Sequence, residues 1–269
     1  MTIEDVLFLD TETTGVPDRN AQWDKDFMDY PHVVQLAWIF KGKHESHLII
    51  PEGYTIPEET TQVHGITTEM AMENGEPFAV VVEQFLEDCA EAGLICGHNI
   101  HFDTSIIKAN IMRELGQEYY NVNEVEECLF KGKRIDTMRP TMKWVDARTS
   151  NGRLKFPRLE ELYSRCFPGE SFPAHDALED CKAVARCLPI LIENGLVELK
   201  VKDYSDQYEQ MKFKPEDKPA STETAHISPT IDSNFKDDTL TIQQEKVAQI
   251  ENSAKITDVA TELLDQNDF

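Results

Sequence analysis

The chain has 269 residues and sets 50 Asp+Glu against 26 Lys+Arg, a formal charge of −24. Hydrophobic residues make up 40 %, enough for a sizeable core, which excludes a wholly disordered chain. So acidic a surface argues against broad duplex binding but leaves room for gripping a short single-stranded end through a few contacts. No apolar run approaches the ~20 residues of a membrane helix, and Met1–Asp5 carries acid where a signal peptide carries base. A cytoplasmic protein without a membrane partner is expected.

In chain order, Val6-Leu7-Phe8-Leu9 is a short apolar run closed by Asp10, the pattern of a buried central strand. Val33 to Phe40 and Ser46 to Ile50 read as two further strands, with Lys41-Gly42-Lys43 as the turn of a hairpin. Phe78, Val81, Val82, Phe85, Leu86 and Cys89 repeat at helical spacing, and Gly93 ends that helix. Leu94-Ile95-Cys96 predicts another buried strand. A helix from about Asp103 to Leu115 buries Ile107, Ile111 and Leu115, and a last strong helix covers 176–192. Strands first, then helices interleaved with strands, indicate a layered α/β fold. Six cysteines, none in a C-x-x-C pair, read as free thiols of a reducing compartment.

The composition changes near residue 200. Residues 201–269 hold 7 Lys, no Arg and 15 Asp+Glu. A domain over 1–200, an acidic flexible linker over 201–240 and an amphipathic helix or tail over 241–269 are expected. Ile242, Val247, Ile250, Ala254, Val259 and Leu263 form the stripe of that helix.

Three segments carry chemistry. In Phe8-Leu9-Asp10-Thr11-Glu12-Thr13-Thr14-Gly15, Asp10 and Glu12 stand two apart on a strand and share a face. Two carboxylates side by side repel unless protonated or bridged by cations, and hard oxygen ligands suit Mg²⁺ or Mn²⁺. Gly97-His98-Asn99-Ile100-His101-Phe102-Asp103 puts Asp103 near a helix start, where most aspartates are caps. Phe172 to Asp180 sets His175 just before the last helix and Asp180 beside its apolar stripe. Each alone is weak; together and in this order they say more.

Over residues 4–195 the D-x-E with trailing T-T-G, the H-N-x-x-F-D and the H-x-x-x-x-D together resemble the DEDDh, or DnaQ-like, family of 3′–5′ exonucleases. The resemblance implies a ribonuclease H-like α/β fold, a mixed five-stranded sheet flanked by helices. It implies two Mg²⁺ (or Mn²⁺) ions held by Asp10, Glu12, Asp103 and Asp180, with His175 as general base and nucleoside 5′-monophosphates as products. Pro57-Glu58-Glu59 and Val63-His64-Gly65-Ile66 look like the family segment that lies over the terminal nucleotide. Glu59, His64, Thr13, Gly15, Asn99 and Phe102 are the implied substrate contacts, Phe102 being slightly better suited to the core.

The implied substrate is a single-stranded DNA 3′ end, as in the family's proofreading subunit of the replicative bacterial polymerase, or RNA as in its oligoribonuclease branch. In that subunit a C-terminal segment tethers the nuclease to the polymerase and a short peptide engages the sliding clamp. Here the tail occupies the comparable place, with Gln210-Met211-Lys212-Phe213 as a candidate clamp peptide. From another class, a non-catalytic accessory or tethering protein has no physical need to keep four acids together. Residues 16–32, 118–134 and 146–156 read as elaborations, the last with Arg153, Lys155 and Arg158 as local positive charge.

Overall fold

Strand β1 (Val6–Thr13) is apolar on both faces until it reaches Asp10, and that is what makes it a middle strand. The structure, a computed structural model, describes residues 1–201. β1 joins β2 (Val33–Phe40), β3 (Lys43–Leu48), β4 (Leu94–Gly97) and β5 (Arg134–Asp136) in one mixed sheet of order β3-β2-β1-β4-β5. β2 runs antiparallel to β1 and β3 antiparallel to β2, whereas β4 and β5 run parallel to β1. Helices α1 (Glu58–His64), α2 (Thr68–Asn74) and α3 (Phe78–Glu91) separate β3 from β4. Then α4 (Ile100–Glu114), α5 (Gly116–Val122) and α6 (Val125–Cys128) precede β5, and α7 (Met142–Val145), α8 (Leu159–Cys166) and α9 (Ala177–Glu193) follow it.

The period of two divides most strand side chains between two cores, and Val34 of β2 joins Ile56, Ile66 and Ala71 in a third, small cluster. Leu7, Leu9, Leu36 and Trp38 pack with Val82 and Phe85 of α3 and Ile107 and Ile111 of α4. Val6, Phe8, Ala37 and Cys96 pack on the other face with Leu162 of α8 and Cys181, Val184 and Leu188 of α9. Helices on both faces of the sheet give the three-layer α/β arrangement expected from the element order. All six cysteines are free, and all but Cys166 are buried.

Some boundaries differ from expectation, for local reasons. Phe40 pairs with Lys43, so the hairpin turns on two residues, Lys41 and Gly42, both at positive φ (48° and 78°). β3 therefore starts three residues before Ser46; its Lys43 and Glu45 are charges on an edge strand, which guard the edge but hide the strand from an apolar pattern. α4 begins at Ile100 rather than near Asp103, so Asp103 lies in its first turn. The 16–32 elaboration is a packed loop strapped to α4: Trp23 stacks on Tyr120, its ring 5.1 Å from Lys108 Nζ, and Arg113 donates to the Tyr30 carbonyl (2.7 Å). The expected 201–240 linker, the 241–269 helix and the Gln210–Phe213 peptide lie, Val201 apart, outside the described residues. Among the described residues no helix is long and apolar enough to cross a membrane.

Candidate active site

The site forms where β1 outruns its neighbour. The β1–β4 ladder ends at Phe8↔Cys96, yet β1 continues to Thr13. The first turn of α4 takes the place of the missing strand. Thr11 turns its side chain away from those of Asp10 and Glu12, toward α4, and both its N–H (3.1 Å) and its hydroxyl (2.8 Å) donate to Asp103 Oδ1. Asp103 is 3 % exposed, so this pair of donors fixes a buried carboxylate against the strand. Gly97 lets the two elements approach: a Cβ there would stand 2.9 Å from the Leu9 carbonyl oxygen and 2.9 Å from Ile100 Cδ1.

On the opposite face, Asp10 and Glu12 look toward α9. The N-terminus of α9 is anchored by Asp176, whose Oδ1 accepts the Leu178 and Glu179 N–H groups (3.1 Å each). Gln35, paired with Glu12 in the sheet, accepts the Ala177 N–H (3.2 Å) and donates to Asp176 Oδ2 (3.3 Å). This clamp sets the first turn of α9, and with it Asp180, against β1. His175 precedes the helix at φ +70° and is exposed, its Nε2 3.7 Å from Glu160 Oε1. Ligand atoms of Glu12, His175 and Asp180 all lie within 4.8 Å of one another.

The electrostatics follow from four crowded acids, Asp103 buried and the other three partly buried. Burial, with Asp103, Asp180 and Glu12 adding repulsion, holds the Asp10 carboxyl well above the usual range. Burial, with Asp180, Asp103 and Asp176 adding repulsion, pushes Glu12 up to about 8. Burial also raises Asp103, against the opposing pull of the Thr11 donors, and raises Asp180. Asp180 Oδ1 is buried without a hydrogen-bond partner among the described residues. An orphaned carboxylate oxygen facing three other carboxyl groups is an environment that a divalent cation relieves, and the donors are the hard oxygens such a cation takes. The residues present therefore fit the metal that the motif order implies.

The other expected contacts divide. Thr13 is buried and donates to the Gly15 carbonyl (2.6 Å), while Gly15 has open space where a Cβ would stand. His64 ends α1; its Nδ1 accepts the Ile66 N–H (3.1 Å), its Nε2 is buried without a partner among the described residues, and burial lowers its pKa, with His175 near enough to add to the effect. Asn99 starts α4 in the left-handed region (φ 70°), caps nothing with its side chain, and donates its N–H to Asp136 Oδ1 (3.1 Å). Phe102 is half-buried against the core shared by α3 and α4. Glu59 is exposed in the first turn of α1, roughly 140° around the helix from His64, and its carboxylate makes no contact among the described residues. Lys155 binds Glu161 (2.6 Å and 2.8 Å).

Known proteins bear on this geometry. The model of an exonuclease family, RNase_T, matches residues 7–188, a span that contains every carboxylate of the cluster and His175. The chain belongs to this exonuclease family. RNase_T exonucleases fall in the DEDDh, DnaQ-like superfamily, so the resemblance carried by the three motifs holds. An uncharacterized exonuclease of Escherichia phage 186 is 26 % identical over 198 residues, covering 71 % of this chain and 90 % of its own. In fold, the chain is similar to exonuclease I of Methylocaldum szegediense (TM-score 0.53, 20 % identity, 70 % of this chain and 40 % of that one). It is also similar to exonuclease I of E. coli in complex with a dA16 oligonucleotide (TM-score 0.53, 21 % identity, 71 % and 41 %). The chain thus spans about two fifths of the length of these solved exonucleases. Family membership supports a nuclease function.

Sequence reasoning missed the residues that hold the candidate site in shape: Thr11, Gln35, Asp136 and Asp176. Gln35 did carry a signal, as the one polar residue in Val33-Val34-Gln35-Leu36-Ala37-Trp38-Ile39-Phe40.

Proposed function

We propose that the protein is a metal-dependent 3′–5′ exonuclease that removes nucleoside 5′-monophosphates from single-stranded DNA ends. The observation that carries this reading is the convergence of Asp10, Glu12, Asp103 and Asp180 from β1, α4 and α9, with His175 at their edge. These four carboxylates would hold two divalent ions, Mg²⁺ or Mn²⁺, which when bound supply charge compensation for the phosphodiester and a more acidic water. A ring nitrogen of His175 then takes the proton of the attacking water, a task suited to imidazole at neutral pH. Thr11 keeps Asp103 aimed, and the Gln35–Asp176 clamp keeps His175 and Asp180 in register with Glu12. Exposed His64-flanking residues such as Val63 and the open side of Gly15 supply surface for the terminal nucleotide, and Asn99 a polar contact. The domain is residues 1–200, and the acidic tail is a tether toward a polymerase and its clamp.

The test uses 5′-labelled single-stranded DNA and matched RNA, with Mg²⁺ or EDTA, beside Asp10→Ala. A ladder shortening from the 3′ end of DNA, lost in EDTA and in the mutant, is expected. A ladder confined to RNA moves the protein to RNA processing, and no cleavage of either overturns the reading. Recovery of polymerase and clamp in a pull-down unchanged by deleting 205–269 removes the tether.

A further inference from the structure

Four cationic side chains line one groove at the open edge of the sheet. The groove, about 880 Å³, lies along β5 between the start of α4 (Ile100, His101), the Lys131–Arg134 stretch, the turn at Arg139 and the returning segment 195–200. In a chain where acids outnumber bases almost two to one, Lys131, Arg134, Arg139 and Lys200 share this single surface. The two acids of the lining are already engaged. Asp136 accepts the Asn99 and Met138 N–H groups (3.1 and 2.8 Å) and lies 3.4 Å from Arg139 Nε, and Glu198 pairs with Lys200. The Arg134 guanidinium is fixed in place by two hydrogen bonds to the Leu129 carbonyl (3.0 and 2.5 Å).

The location ties the groove to the carboxylates. β5, β4 and β1 are parallel, so their carboxyl ends open on the same side, where ligands of open α/β sheets bind; the Asp136–Arg139 end of the groove lies there, and Lys131, Arg134 and 195–200 continue it past the start of β5 and the C-terminus of α9. Two strand spacings, roughly 10 Å, separate β5 from β1. Gly97 pairs with Asp136, and Asp136 holds the Asn99 N–H, so the groove begins at the same junction that presents Asp103. Its surface is mixed: the cations stand beside the half-buried Leu196 and the exposed Pro140, while Ile100, Ile135 and Val197 are buried. Cations alternating with apolar surface match a single-stranded polynucleotide, which presents phosphates and base faces together, better than they match a small anion.

We propose that this groove is the track of the single strand behind its scissile end, with phosphates of the nucleotides 5′ to the terminal one against Lys131, Arg134, Arg139 and Lys200 and bases over Leu196 and Pro140. The proposal rests on the exonuclease reading of the carboxylate cluster.

The test compares the full-length protein with Lys131→Glu and Arg139→Glu, both at exposed positions, and with Lys43→Glu on β3 at the opposite edge of the sheet. KM is measured for a dinucleotide, which reaches the carboxylates only, and for a twelve-nucleotide strand. Each groove reversal should shift the KM ratio of the long over the short substrate roughly tenfold toward weaker long-strand binding, one tenfold step per lost charge-assisted contact. Each should also flatten the salt dependence for the long strand by about 0.7 in log–log slope. Lys43→Glu should leave the ratio at the wild-type value. Equal changes for both lengths, an equal effect of Lys43→Glu, or a reversal that tightens long-strand binding, as displacement of an anionic segment of the chain itself would produce, overturns the proposal. Anisotropy of a 5′-fluorescein twelve-nucleotide strand in EDTA separates the two readings. A wild type that cleaves nothing sinks the exonuclease assignment, while roughly tenfold weaker binding by the groove variants alone still upholds the track.

Discussion

Thr11 stands between the two acids of β1 and turns its side chain the other way, and this small fact governs the cluster. Its N–H and hydroxyl both donate to Asp103 Oδ1. Thr11→Val keeps the shape and removes the hydroxyl donor, leaving a 3 % exposed carboxylate with one fewer bond. We expect kcat to fall roughly tenfold with KM little changed, because the loss is in placement rather than in end binding; steady-state kinetics on labelled DNA checks this. The acids themselves predict an inverse relation between activity and metal-free stability. Glu12 titrates at about 8 in the folded chain against 4.5 when unperturbed, so the folded state binds more protons than the unfolded one between these values. Stability without metal therefore falls as pH rises from 4.5 toward 8, with the full penalty above about 8. Glu12→Gln removes it: the variant should melt a few degrees higher than wild type in EDTA at pH 8, lose that advantage near pH 5, and fail to cleave. Thermal melts at the two pH values decide the matter, and a variant that melts lower at pH 8 refutes the repulsion. Asp10 and Glu12 were legible because a strand repeats every two residues and needs no long-range knowledge. The role of Thr11 was not, since its partner lies 92 positions away.

At the scale of elements, the helices that carry the site were readable and the pieces that hold them in register were not. α3 and α9 show their apolar stripes plainly and bury them against the sheet, whereas α4 also buries Thr104, Ser105, Lys108 and Asn110 between its isoleucines. β5 is three residues with charge at both ends, too short for any period to show, yet its Asp136 holds the start of α4. α1 and α2 have seven residues each and bury one side chain between them, so their periodicity is equally faint. Gln35 shows what this costs a sequence reading. A buried amide in an apolar strand invites explanation, but only the fold brings it to Ala177 and Asp176. Gln35→Leu would leave the Ala177 N–H and one Asp176 oxygen without their partner. A destabilisation of about 1–3 kcal/mol is expected from the unmet donor. Activity should fall further than stability does, because the first turn of α9 carries Asp180 and follows His175. Urea melts beside kcat separate the two effects; an activity that tracks stability alone would show that the clamp has no positioning role.

For the whole molecule, the question is how much of the chain the chemistry needs. Among the described residues the last buried side chain is Val197, and all carboxylates of the cluster and His175 lie inside the matched span 7–188. The remaining chain carries 15 acids against 7 lysines. A protein cut after Val201 keeps every described buried side chain, the four carboxylates and His175, and should therefore fold, with a Tm within about 2 °C of the full chain, and keep its kcat. Its KM for single-stranded DNA should drop at low ionic strength, because the excised acids no longer repel the phosphates. The difference should vanish in about 0.5 M salt, where screening acts over only a few ångströms. KM measured at the two salt concentrations tests this directly. A difference that survives high salt would mean that the tail acts through contact rather than charge. A truncated protein that fails to fold would place part of the core beyond residue 201 and overturn this expectation.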